Sequence, residues 1–153
     1  MDLILWRHAE AREALDGEAD ADRPLTSKGE KQAARMAGWL SRHLPDSTRL
    51  LVSPTVRTRQ TAEALAPKFR VFDELSPDRS VTELLQVARW PDARGPVLVV
   101  GHQATLGLTA AYLLSGLAQP WSIRKGAIWW LRHRQRDHGN SVVLHSVLGP
   151  ESV

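Results

Sequence analysis

Cysteine is absent from all 153 residues, which excludes disulfides, thiol nucleophiles and any zinc or iron–sulfur centre built on thiolates. Long apolar runs are missing too. None approaches the roughly 18 residues of a membrane span, and the opening MDLILWRH turns charged at Arg7. Neither a transmembrane helix nor a secretory leader is therefore expected, and the expected location is cytoplasmic. Internal repeats, low-complexity stretches and linkers are also lacking, so residues 1–153 read as one domain. A chain of this length buries roughly two thirds of its unfolded surface and needs no staples.

Charge of one sign is in short supply. The formal net charge is only +3 despite a sequence pI near 9.8, and residues 1–76 balance twelve basic against twelve acidic side chains. The basic excess gathers at Arg124, Lys125, Arg132, Arg134 and Arg136. The last three, at strand spacing, put guanidiniums on one face, which reads as solvated surface and not as a nucleic-acid site.

The apolar pattern switches repeatedly between strand and helix periods. Leu3–Trp6 suits a buried strand, whereas residues 10–22 hold six acidic side chains and read as an exposed loop. Ser27-Lys28-Gly29-Glu30 offers a capping box to a helix whose apolar face is Ala33, Met36, Ala37, Leu40 and Leu44, ending near His43. Strands are expected at 50–52, 70–72 and 97–100, and helices at 55–65, 81–90 and 105–114. The strands at 127–131 and 142–147 are joined through a hairpin turn at Asp137-His138-Gly139-Asn140. This alternation predicts an α/β fold: a three-layer α/β/α sandwich with a mainly parallel sheet. Six tryptophans read as core and rim packing, and of Trp129 and Trp130 strand alternation sends one ring inward and the other out.

Open parallel sheets bind ligands at the carboxyl ends of their strands. Here one strand ends in Arg7-His8, a second in Ser53-Pro54 before a helix carrying Arg57 and Arg59, and a third in Gly101-His102. Singly, each histidine or arginine is ordinary loop or surface material. Jointly, they deliver two histidines and arginine to one sheet edge. His43, His133, His138 and His145 carry no motif and no role.

These residues also carry a resemblance. Leu5-Trp6-Arg7-His8-Ala9-Glu10, Leu25-Thr26 with Gly29, the run from Ser53 to Ala62 and Val99-Val100-Gly101-His102 resemble the successive motifs of the histidine phosphatase superfamily. The opening Arg-His-Ala-Glu-Ala is most similar to its SixA-type phosphohistidine phosphatase branch. Ala9 departs from the glycine of many members, which that branch tolerates. The resemblance implies a phosphoglycerate mutase-like version of the sandwich. It also implies that one ring nitrogen of His8 attacks phosphorus while the other is held by a backbone carbonyl, and that His102 donates to the phosphoryl oxygens, as a cation once the dianion is bound. No cofactor or metal is implied.

The physics of phosphoryl transfer agrees. A transferring phosphoryl group spreads charge over three oxygens, which the forks of Arg7 and Arg57 match. Each guanidinium opposes protonation of His8 by up to roughly 4 kcal/mol at 4 Å and an effective dielectric of 20, so the free site holds a neutral nucleophile. Thr26 is either a further donor or only a helix cap.

Superfamily members acting on alkyl phosphates protonate the leaving oxygen with a carboxylic acid following the third strand. Here Pro77 falls at that place, with Glu74 and Asp78 as neighbouring carboxylates that either reach in or remain solvated. A phosphohistidine substrate lessens the need for such an acid, because its leaving imidazole can be protonated before it departs. Short connections leave nothing for a lid, so the expected partner is a histidine-phosphorylated protein, such as a phosphotransfer domain or a phosphocarrier, releasing phosphate. The acidic loop 10–22 and the basic hairpin are candidates to select that protein by charge. The alternatives are a small-molecule phosphomonoesterase of the same superfamily, a catalytically inactive phospho-binding module, and a metal hydrolase using His8, Glu10 and His102. Two arginines oppose the last.

Overall fold

The computed structural model describes residues 1–136 and 139–153. Its first strand, β1 (Asp2–Arg7), owes its place to Leu3, Ile4, Leu5 and Trp6, all at 0% exposure. Such a run is apolar on both faces and so needs cover on both. Further along, β2 (Arg49–Val52), β3 (Arg70–Val71), β4 (Val97–Gly101), β5 (Ile128–Arg136) and β6 (Gly139–Leu148) join it in one sheet of order β3-β2-β4-β1-β5-β6. The pairings β3-β2, β2-β4 and β4-β1 are parallel, whereas β5 runs antiparallel to β1 and to β6.

Alternation along the strands sorts the core into two layers. On one face Leu3, Leu5, Leu51, Val97 and Val99 pack with Leu84 and Ala88 of α3 (Val81–Ala88) and Leu106 and Ala110 of α4 (Gln103–Ser115). On the other, Ile4, Trp6, Val52, Leu98 and Val100 meet Met36, Ala37 and Leu40 of α1 (Ser27–His43) and Ala62 of α2 (Val56–Glu63). Each fully buried leucine or valine contributes about 1.5–3 kcal/mol. The result is the expected three-layer α/β/α sandwich with a mainly parallel sheet.

Several local expectations change. The cap of α1 is Thr26, which the sequence offers beside the capping box expected to open at Ser27. Its hydroxyl accepts from the Gly29 amide, so Ser27-Lys28-Gly29-Glu30 is not a capping box. The capping box stands instead at α3, where Ser80 and Glu83 bond reciprocally. The third strand shrinks to two exposed residues at the sheet edge. The hairpin strands are longer than their apolar stretches, because ladder bonds continue into polar sequence: Gly139 and Asn140 already pair with Arg136 and Gln135. The remaining residues assigned to that turn, Asp137 and His138, lie outside the described residues. Trp129 and Trp130 do face opposite sides, but both sides are covered. Trp130 is buried beside α1, and Trp129 packs 6.1 Å from Trp121 in the opposite layer. Arg132 of the basic stripe is tied down by Asp2 at 2.9 Å.

Among the described residues, no helix is long and apolar enough to cross a membrane.

Candidate active site

Parallel register brings three strand ends side by side. Arg7 pairs with Gly101 and Val52 with Val100. One residue beyond, the His8 amide donates to the Gly101 carbonyl and the Ser53 amide to the Val100 carbonyl, each at 3.1 Å. His102 is the N-cap residue of α4, and Arg57 lies in the first turn of α2, whose cap Thr55 accepts from the Thr58 amide. The Gly126 amide closes the floor by donating to the carbonyls of Arg7 and His8.

The arrangement fixes one nitrogen of His8. Nδ1 lies 2.7 Å from the Ala9 carbonyl, which can only accept, so Nδ1 carries the proton and Nε2 keeps its lone pair. Nε2 of His102 lies 2.8 Å from the Ser53 hydroxyl, and the two imidazoles are 5.4 Å apart. Both rings are nearly buried, at 8% and 7% exposure. Burial is the first reason that the pKa of His8 falls to about 4, with the charges of Arg57, Arg7 and Arg23 adding to it against the Ala9 hydrogen bond. Repulsion by the arginines, the cause expected from sequence, is thus secondary. His102 falls to about 3, again first through burial, then through His8, Arg57 and Arg7, with Asp20 opposing.

Both arginines are anchored through a terminal nitrogen. Arg7 donates from Nη1 to the Ile123 carbonyl at 2.8 Å, while Arg57 donates from Nη1 to the Asp20 carbonyl at 2.8 Å and from Nη2 to its carboxylate at 3.0 Å. In each the Nε–H is buried and has no partner among the described residues. Buried donors without acceptors are rare and cost about 1–3 kcal/mol each. Two of them beside a neutral imidazole are what an oxyanion with several acceptor oxygens would satisfy.

Other assignments from the sequence fall differently. The Thr26 hydroxyl caps α1 and donates to the Glu10 carboxylate at 2.7 Å, so it is spent away from the pair of histidines. Glu74 sits in a short 3-10 turn (Asp73–Leu75) and Asp78 in an exposed left-handed bend. Neither bonds Arg7, His8, Arg57 or His102 among the described residues. Arg59 braces the turn through the Pro54 carbonyl. No group of three histidine or carboxylate side chains is placed to hold a metal ion among the described residues.

Sequence reasoning missed Ser53 as the partner of His102, and Arg23 and Asp20 altogether. Ser53 lies inside a quoted motif and Arg23 two residues before Leu25, so both were within reach. Asp20 was concealed in the acidic loop, read as solvated. Instead, Arg12 pairs with Glu18 at 2.6 Å, and Asp20 with Arg57 and Arg23, so two of that loop's carboxylates are engaged by arginines.

Sheet, histidine pair and arginines together define a phosphatase of the histidine phosphatase superfamily, and the chain belongs to it: residues 3–85 match branch 1. Within the superfamily it is of SixA type. It is 33% identical over 128 residues to the phosphohistidine phosphatase SixA of Escherichia coli, covering 78% of each chain. The protein histidine phosphatase SixA complexed with tungstate superposes with a TM-score of 0.76 at 29% identity, over 98% of this chain and 97% of that one. An uncharacterized protein of Picosynechococcus sp. is 37% identical over 142 residues, 86% of this chain and 85% of its own.

Proposed function

We propose that this phosphatase removes the phosphoryl group from a phosphohistidine side chain of a protein, through a covalent phosphohistidine on its own His8. The observation that carries the reading is the pair of orphaned Nε–H donors of Arg7 and Arg57 beside a His8 whose Nε2 is unprotonated. In the first step, Nε2 of His8 attacks phosphorus as the P–N bond of the substrate breaks, and the leaving imidazole keeps or takes up a proton. In the second, water attacks the phosphoryl-His8, phosphate leaves and Nε2 regains its lone pair. Arg7, Arg57 and His102 hold the equatorial oxygens in both steps.

Two features favour phosphohistidine over an alkyl phosphate. Pro77 stands where a proton-donating carboxylate is expected, and among the described residues neither Glu74 nor Asp78 is bonded to Arg7, His8, Arg57 or His102. The connections after β2 and β4 are short, from Val52 to Val56 and from Gly101 to Gln103, which suits a phosphorylated side chain presented on a protein surface, such as that of a phosphotransfer domain or a phosphocarrier. The match to SixA of Escherichia coli, named a phosphohistidine phosphatase, supports the same substrate class.

Hydrolysis of a histidine-phosphorylated phosphotransfer domain, measured beside a panel of alkyl phosphates with EDTA present, tests the reading. The expected result is preference for the phosphohistidine substrate, lost in His8→Ala and indifferent to EDTA. Faster turnover of alkyl phosphates would mean that a carboxylate serves the leaving oxygen, and phosphate binding without any turnover would reduce the chain to a binding module.

A further inference from the structure

Asp20 is the one carboxylate bonded to Arg7 or Arg57 among the described residues, and the phosphoryl-transfer steps leave it without a task. Its main-chain carbonyl and Oδ2 take Nη1 and Nη2 of Arg57 at 2.8 and 3.0 Å, and its Oδ1 takes Nε of Arg23 at 2.9 Å. The Arg57 side chain is 5% exposed and that of Asp20 is 61% exposed, so the carboxylate lies on the solvent side of a buried guanidinium. It holds the terminal edge of Arg57 and leaves Nε–H without a partner among the described residues. Burial alone would raise the pKa of Asp20, but the hydrogen bonds from Arg57 and Arg23 outweigh it and keep the carboxyl below its usual range, hence ionised at neutral pH.

Charge arithmetic gives that placement a consequence. Arg7, Arg23 and Arg57 all bear on His8, and both histidines are neutral in the free site. Three guanidinium charges against one carboxylate leave two, the charge of a phosphate dianion. Without the carboxylate, three would face two, and product would be held harder in a site where release readily limits turnover.

We propose that Asp20 is a positioning residue and the resident counter-ion of the phosphoryl site: it fixes Arg57 by its terminal edge and offsets one guanidinium charge so that phosphate can leave. The inference rests on the phosphatase reading above.

Calorimetric titration of inorganic phosphate into the wild type, Asp20→Asn and Asp20→Glu, paired with steady-state kinetics and product inhibition, tests it. Asparagine keeps an acceptor oxygen for Arg57 and removes only the charge. Asp20→Asn is expected to bind phosphate about tenfold more tightly, with kcat reduced and kcat/KM held within about threefold, while Asp20→Glu stays within about threefold of the wild type throughout. A merely structural residue would weaken binding when replaced, not tighten it. Unchanged or weaker phosphate affinity in Asp20→Asn overturns the inference. So does a loss of kcat that grows with leaving-group basicity at constant affinity, since Asp20 would then be a proton donor. If phosphate binds neither the wild type nor any variant, and no phosphorylated substrate turns over, the phosphatase reading itself falls.

Discussion

Arginine and lysine carry the same charge but different hydrogen-bonding edges, which makes Arg57 informative at the scale of one residue. Its terminal nitrogens are committed to Asp20 and its Nε–H is not. Lysine would keep the charge and lose the fork. Arg57→Lys is therefore expected to lower kcat/KM on the order of 10² in steady-state assays, as for loss of one oxyanion donor. A drop below threefold would show that a point charge suffices. Ser53 is the other informative side chain: it is fully buried and engages His102 Nε2 at 2.8 Å. Ser53→Ala strands that nitrogen, and about a tenfold loss of kcat is expected, with stability lowered by about 1–3 kcal/mol in urea unfolding.

The N-terminus of α1 shows how an element positions a site it does not line. Thr26 spans Gly29 and Glu10, and a Cβ on Gly29 would overlap the Glu10 carbonyl oxygen two residues beyond His8. Thr26→Ala is expected to cost about 1 kcal/mol, a fall of about 2–4 °C in Tm by calorimetry, with KM unchanged. A KM raised more than threefold would return Thr26 to the phosphoryl site. Gly29→Ala forces the helix away from the chain after β1. It is expected to cost about 1–3 kcal/mol or more and to reduce kcat together with Tm. Spacing made α1 itself legible, because Met36, Ala37 and Leu40 recur on one face. Its cap stays open between Thr26 and Ser27 in the sequence, since Thr and Ser satisfy the same local rule, and the structure settles it at Thr26.

Over the whole molecule, two buried neutral imidazoles make stability depend on pH. An unfolded histidine titrates near 6.5, whereas His8 and His102 titrate at about 4 and about 3 in the folded state. Between these values the unfolded chain binds protons that the folded chain refuses. Stability is therefore full above pH 6.5 and is lost as pH falls through the folded pKa values, by on the order of 3 kcal/mol per histidine. Urea unfolding from pH 7.5 to 4 is expected to show this decline, and His102→Gln to flatten it. A wild-type curve level from pH 6.5 to 4.5 would contradict the burial of both rings.

Fold class and the meeting of Arg7, His8, Arg57 and His102 were determined by sequence alone. Apolar runs define parallel strands, and parallel register aligns their carboxyl ends whatever the loops do. Periods and caps act over a few residues, so they are visible locally. Only tertiary structure decided which ring nitrogen of His8 stays free, that Thr26 spends its hydroxyl on Glu10, and that Asp20 folds back onto Arg57. The anchors of the two arginines lie 116 and 37 residues away, at Ile123 and Asp20. Such pairings depend on how loops close over a finished core, and no periodic pattern in the chain encodes them.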